Sequence, residues 1–250
     1  QGGTEAPSSV IVKIPSKVAK NRSLGEGLAV YEREIRVYSE MSHSLGIPMP
    51  EFIYAECDAN PAPWLETFFT FLFRKLPVAA VSRVLDLLLL IGAKSPRRYL
   101  LMMEDIDDAR PPSQVEGGSI EDALTGLELL ARFHAHNWGE ADRRDAHPII
   151  WSVGHVPKVV QASFRRNRDA FVDRFGPLIG EEMVAKMDEV QERLPALCAR
   201  LERDPWTLCH GDYRLDNLMF RSDGRTTVLD WQGLAWGRPG WKSRTLLPLL

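Results

Sequence analysis

In the segment LCHGDYRLDNLMFRSDGRTTVLDWQ (208–232), His210, Asp212, Asp216, Asn217 and Asp230 crowd around two short apolar or β-branched runs. The runs NLMF and TTVLD are separated by RSDGR, whose Asp-Gly pair favours a tight turn, so the segment reads as an antiparallel hairpin. In such a hairpin the start of the first strand lies beside the end of the second. Asn217 and Asp230 therefore meet at the open mouth, and Asp212 lies in the loop that feeds it. Two carboxylates and an amide oxygen make a hard-oxygen site suited to Mg²⁺, which takes few protein ligands and fills its shell with phosphate oxygens. Each residue alone fits a plainer role, because Asp and Asn commonly cap turns and end strands. The whole spacing is harder to reach that way: an H-x-D, an asparagine five beyond the aspartate, and a second aspartate across the hairpin.

The elements that must position these residues follow from periodicity. SSVIVKIPS is β-branched and bounded by serine and proline, which predicts a strand over 10–14. Ser23 and Glu26 have capping-box spacing, and Leu28, Tyr31, Ile35, Tyr38 and Met41 then mark one face of a helix. Gly46, Pro48 and Pro50 stop it. EFIYAE and RYLLMMEDI read as second and third strands. From Ser119 the chain turns helical, with Leu124, Leu127, Leu130 and Phe133 as the buried stripe and Gly139 as C-cap. Another helix is expected over 181–201, with a stripe of Met183, Met187, Val190, Leu194, Leu197 and Leu201, kinked at Pro195. Strands with one helix, then mainly helices, then a hairpin define an α+β chain in two lobes. The small β-rich N-lobe is assigned to 1–107 and the mainly helical C-lobe to 108–250, with the acidic run MEDIDD near the crossing.

Composition narrows the function classes. The 250 residues are 44% hydrophobic and 26% charged, which is ordinary for a soluble globular protein. A net charge of −3 gives no general pull toward nucleic acid, and none is expected as a partner. Cys57, Cys198 and Cys209 form no CxxC pair, which argues against a zinc site or disulfide framework and favours a reducing, cytoplasmic compartment. QGGTEAPSSV has neither the basic nor the apolar region of a secretory signal. No apolar run is long enough to span a bilayer as a helix.

The loop His210-Gly211-Asp212-Tyr213-Arg214-Leu215-Asp216-Asn217 resembles the H-G-D-x-x-x-x-N motif of the aminoglycoside phosphotransferase and choline kinase superfamily, nearest its ecdysteroid-kinase-like branch. VLDWQ is similar to that superfamily's second metal motif, an Asp followed by an aromatic residue. Lys13 in VIVKIP resembles the strand lysine that grips the α- and β-phosphates. Glu34 in YEREIRVYSEM resembles the helix glutamate that fixes it, with Glu32 as its rival. YLLMMEDI resembles the hinge, where backbone groups near Glu104 and Ile106 would meet adenine. The resemblance implies a bilobal protein-kinase-like fold. It also implies transfer of the γ-phosphate of ATP or GTP, with Mg²⁺, to a hydroxyl of a small molecule. Asp212 would be the base, and Asn217 and Asp230 the metal ligands. His210 is expected to brace the loop, and Asp216 to be a bystander.

Three departures qualify that expectation. Lys13 comes almost at the start, with Gly2-Gly3 as the turn before its strand and no glycine-rich loop ahead. GRPGWKSRTLLPLL stands where further helices are expected, so the chain reads as a fragment. An insert over about 60–98, rich in Phe and Leu with a basic border, reads as two short helices around Pro77. Packing of the insert on the small lobe, or an interface with another chain, is favoured over contact with a membrane or a lipid-like acceptor. A nucleotide-binding scaffold without catalysis is the alternative, and a metal-dependent phosphoesterase fits less well because only His210 is near the acids.

Overall fold

The computed structural model describes residues 7–59, 68, 71–72, 75–92, 95–110, 112–113, 115–152, 157–201, 203 and 205–239. Gly2, Gly3, much of the 60–74 part of the insert and the tail from 240 lie outside the described residues. The fold is the expected bilobal α+β arrangement.

The small lobe is built on an antiparallel sheet in the order β1-β3-β2, made by β1 (Val10–Lys13), β2 (Phe52–Cys57) and β3 (Tyr99–Glu104). Lys13 stands opposite Leu101 at the end of β1. The helix expected after Ser23 begins earlier: α1 (Ala19–Gly27) places Ser23 in mid-helix, where its Oγ donates to the Ala19 carbonyl at 2.9 Å. Capping-box spacing there is a coincidence, because a serine inside a helix can bond back one turn instead. The chain then breaks at Ala29, in the left-handed region (φ 49, ψ 31), and restarts as α2 (Val30–Arg36). α2 runs on into a π-helical turn over Val37–Met41. Gly46 ends the run with φ +70, a conformation glycine adopts without cost. The insert's α3 (Val78–Gly92) follows Pro77 as expected and packs against α1.

The larger lobe opens with α4 (Ile120–His136), which carries a true capping box: Asp122 N donates to Ser119 Oγ at 3.0 Å and Ser119 N to the Asp122 carboxylate at 3.2 Å. Its buried face is Ala123, Gly126, Leu130, Phe133 and His134, so the expected stripe holds at Leu130 and Phe133, while Leu127 is half-buried and Leu124 is 62% exposed. After the short α5 (Ala141–Ala146) and β5 (Trp151–Ser152) comes α6 (Pro157–Leu201), twice the expected length. It breaks at Gly180 (φ 78, ψ 161) rather than at Pro195. Its halves are antiparallel: Arg168 grips Asp188 at 2.6 Å through both Nε and Nη2, and Gln161 Nε2 donates to the Gln191 carbonyl at 2.6 Å. The second half follows the expected range, yet Gln191 and Cys198 are buried while Met183 and Val190 face out. α3 packs on α6 as well as α1, and Lys158 Nζ reaches the Leu76 carbonyl at 2.7 Å.

Two small sheets finish the lobe. β6 (Thr207–Cys209) pairs with β9 (Ala235–Gly237), which also takes β5. β4 (Ala109–Arg110), β7 (Leu218–Arg221) and β8 (Thr226–Val228) form the second, in that order. The interlobe crossing is thus hydrogen-bonded to the hairpin. One core links the lobes, with Tyr38, Phe133, Leu208, Leu218 and Trp231 all fully buried. No helix among the described residues is long and apolar enough to cross a membrane.

Candidate active site

The hairpin forms as its sequence suggests. Leu218 pairs with Val228, and Leu229 N donates to the Asn217 carbonyl at 2.9 Å, which brings Asn217 opposite the residue before Asp230. Asp230 then takes left-handed dihedrals (φ 64, ψ 60), which turn its carboxylate out of the strand line. Such a conformation costs about 1 kcal/mol in a non-glycine residue, least in Asp and Asn. The turn is held by Trp231, whose Nε1 donates to the Val228 carbonyl at 2.9 Å and whose ring meets Phe133 and His210 edge-on.

His210 is buried and makes two loop contacts. Its Nε2 lies 2.8 Å from the Leu229 carbonyl, and its Nδ1 accepts from Asp212 N at 3.3 Å. That pattern needs a neutral ring protonated at Nε2. Burial lowers its pKa to about 4, with the Leu229 carbonyl and the nearby acids opposing. A histidine so placed is a brace and not a base. Gly211 has φ +84, and a Cβ there would stand 2.0 Å from the Gly233 carbonyl oxygen. The glycine of H-G-D is therefore required by the close approach of the two loops.

Asp212 is half-buried at the mouth. Its carboxylate accepts from Arg214 Nε at 3.2 Å and from Asn217 Nδ2 at 3.3 Å, and Asn217 Nδ2 also donates to the Asp212 carbonyl at 2.7 Å. With its NH₂ committed to Asp212, Asn217 has the amide oxygen as the group it could offer to a cation. Asp216 accepts from Arg214 Nη1 at 3.2 Å.

From the other lobe, Lys13 Nζ lies 2.5 Å from Glu34 Oε1 and 3.3 Å from Asp230 Oδ1. Burial alone would lower the lysine's pKa, but the two carboxylates outweigh it and hold it above its ordinary value. Glu32, the rival, turns away to Arg36 and Arg97, both at 2.9 Å. An open cavity of about 410 Å³ lies beside this cluster, walled by Lys13, Glu34, Tyr31, Tyr99, Leu101 and Gln232 among others.

At the hinge, Glu104 N donates to the Glu51 carbonyl at 2.9 Å, while Glu51 N turns to the Glu104 carboxylate at 3.0 Å. The Glu104 carbonyl is thereby left outside that pairing. Ile106 is buried just beyond β3. Neither residue lines the cavity beside Lys13.

Two arginines escaped sequence reasoning. Arg33, buried on α2, donates to the carbonyls of Leu28 (2.8 Å), Gln232 (3.0 Å) and Ile149 (3.2 Å). It ties the helix that carries Glu34 to the turn that follows Asp230. Arg221 on β7 reaches the Glu104 carboxylate at 2.5 Å and Asp108 at 3.6 Å, tying hairpin to hinge. The only sequence signal for Arg33 is that it immediately precedes Glu34.

Asn217 and Asp230 supply one amide and one carboxylate oxygen, a sparse hard-oxygen pair that fits a Mg²⁺ arriving with phosphates. Among the described residues no three His, Cys, Asp or Glu side chains gather as metal ligands. A two-lobed α+β chain with a lysine–glutamate pair facing such a hairpin has the form of a kinase-like phosphotransferase. The ecdysteroid kinase-like family model matches residues 1–241, and the chain belongs to that family. Membership implies a kinase-like phosphotransferase acting on a small molecule. No curated protein matches the chain.

Proposed function

We propose that the protein transfers the γ-phosphate of ATP or GTP to a hydroxyl of a small molecule, dependent on Mg²⁺ and with Asp212 as base. One observation carries this reading: Lys13 reaches Asp230 across the lobes, at the same mouth where Asp212 and Asn217 are hydrogen-bonded together. Phosphoryl transfer asks the protein chiefly for positioning and charge neutralisation.

Lys13 holds the α- and β-phosphates as a compact cation, and Glu34 sets its direction. Asn217 and Asp230 hold Mg²⁺, which when bound neutralises charge on the phosphate oxygens. The Glu104 carbonyl and the Ile106 N–H meet the adenine edge. Asp212 accepts or orients the acceptor's hydroxyl proton. Arg214 and Asn217 keep its carboxylate aimed. The residues act across the boundary between an N-lobe of 1–107 and a C-lobe of 108–250. Three free cysteines suit a cytoplasmic setting.

The test is nucleotide consumption by the whole chain against a panel of hydroxyl compounds, beside Asp212→Ala. Turnover with at least one compound, reduced about 10²-fold or more in the variant, is expected of a lost general base. Equal turnover by both proteins would remove Asp212 from the role. Nucleotide binding without turnover of any compound would instead define a non-catalytic scaffold. Absence of Mg²⁺-dependent nucleotide binding would end the kinase reading altogether.

A further inference from the structure

Asp230 divides its two carboxylate oxygens between different partners. Oδ1 accepts from Lys13 Nζ at 3.3 Å, and Oδ2 accepts from Gln232 Nε2 at 3.0 Å. An ionised carboxylate only accepts, so the Gln232 amide must face it with its NH₂ group. The contact reaches back across the turn Trp231–Gly233, and the main chain of that turn is held at three points. Trp231 is fully buried, the Gln232 carbonyl accepts from Arg33 Nη1 at 3.0 Å, and Gly233 packs closely on Gly211. The residue itself is half-buried and walls the open cavity beside Lys13 and Glu34. Its side-chain type is informative. A lysine or arginine there would also hold Oδ2, but its charge would compete with a cation for Asp230. A glutamate would repel the carboxylate. An amide donates without charge, so it fixes the carboxylate's rotation and leaves its negative charge to a metal.

We propose that Gln232 is a positioning residue for Asp230: its amide holds Oδ2 and so presents Oδ1 to the cation. Oδ1 is also the oxygen that Lys13 reaches, so it faces the side from which the phosphates are bound. When Lys13 turns to phosphate, Oδ1 is released while Oδ2 stays held. Outer groups of this kind, which orient a ligand without touching the metal, commonly change metal affinity by 10- to 100-fold when removed. The inference rests on the proposed Mg²⁺-dependent function.

The test measures ATP affinity of the full chain by calorimetry, once with saturating Mg²⁺ and once in EDTA, for wild type and Gln232→Met. Methionine keeps the length of the side chain and removes its donor. The expected result is that the gain in ATP affinity brought by Mg²⁺ falls about tenfold, while affinity in EDTA is unchanged. Gln232→Ala, which brings no bulk into the turn, should show the same split. An undiminished Mg²⁺ gain in both variants would overturn the role of Gln232 and leave the proposed function standing. Equal losses with and without Mg²⁺ in both variants would make Gln232 a support of the whole site, and would overturn it too. Wild type whose ATP binding gains nothing from Mg²⁺ would fail the underlying function, and the inference with it.

Discussion

Lys13 and Asp230, 217 residues apart in the chain, meet at 3.3 Å, and the contact joins the first strand to the last turn of the hairpin. Lys13 also screens Asp230 from Glu34, since like-charged carboxylates held close repel. Replacing it with methionine removes the phosphate-binding cation and leaves both acids facing one another. Lys13→Met is expected to weaken ATP binding at least tenfold, measured by calorimetry at matched Mg²⁺. Unaltered affinity would remove the lysine from the nucleotide site.

Glu34 and Glu32 make a sharper pair, because they share a helix and divide its duties. Glu34 takes Lys13, whereas Glu32 takes Arg36 and Arg97. Glu34→Gln should therefore cut turnover about tenfold or more with little loss of stability. Glu32→Gln should lower the thermal midpoint by breaking the Arg97 contact while turnover holds. Steady-state rates and melting curves on both variants check the division, and a swapped pattern would reassign the helix glutamate.

Gly211→Ala tests the loop crossing. The added methyl would face the Gly233 carbonyl oxygen at 2.0 Å, and the backbone is already at φ +84. Neither side can yield without moving a main chain that carries His210 and Asp212. A loss on the order of 3 kcal/mol or more is expected in urea unfolding, above the ordinary cost of a left-handed alanine. A loss below 1 kcal/mol would mean that the loops separate easily.

His210 makes stability depend on pH in a defined direction. Its pKa is about 4 in the folded protein against an ordinary 6.5. Between those values the unfolded chain takes up the proton and the native protein does not. The contribution is therefore complete above pH 6.5 and is lost as pH falls toward 4, by about 3 kcal/mol in all. His210→Gln keeps a donor toward the Leu229 carbonyl and removes the titration. Its stability should fall less steeply than wild type's from pH 7 to 4, and taking the difference cancels the carboxylates' own titration. Parallel curves would show that His210 is solvated in the native state.

The hairpin was legible because its residue types carry both the turn and the acids that gather at its mouth. Asp-Gly forces the reversal, and the reversal alone brings Asn217 toward Asp230. Lys13 and Glu34 were legible only in order along the chain, since nothing in a strand lysine says which way it faces. Packing hid the rest. Ser23 shows the limit of motif spacing: the same four residues that would cap a helix also fit its interior. The first half of α6 escaped because its sequence is polar and its contacts run through Arg168 and Gln161 rather than an apolar stripe. Pro195 drew attention from Gly180, where the dihedrals break. Arg33 and Arg221 look like surface residues by type, and only tertiary structure gives them their acceptors.

The same two arginines are part of a wider set of ties between the lobes. Arg221 pins the hinge at Glu104, and Arg33 pins α2 at Gln232. They add to Asn137 Nδ2 on the Leu45 carbonyl at 2.9 Å, Val228 N on the Pro48 carbonyl at 2.9 Å and Lys158 Nζ on the Leu76 carbonyl at 2.7 Å. The two lobes are thus stitched along their length, and a change at the seam in any one of these places is carried by the others.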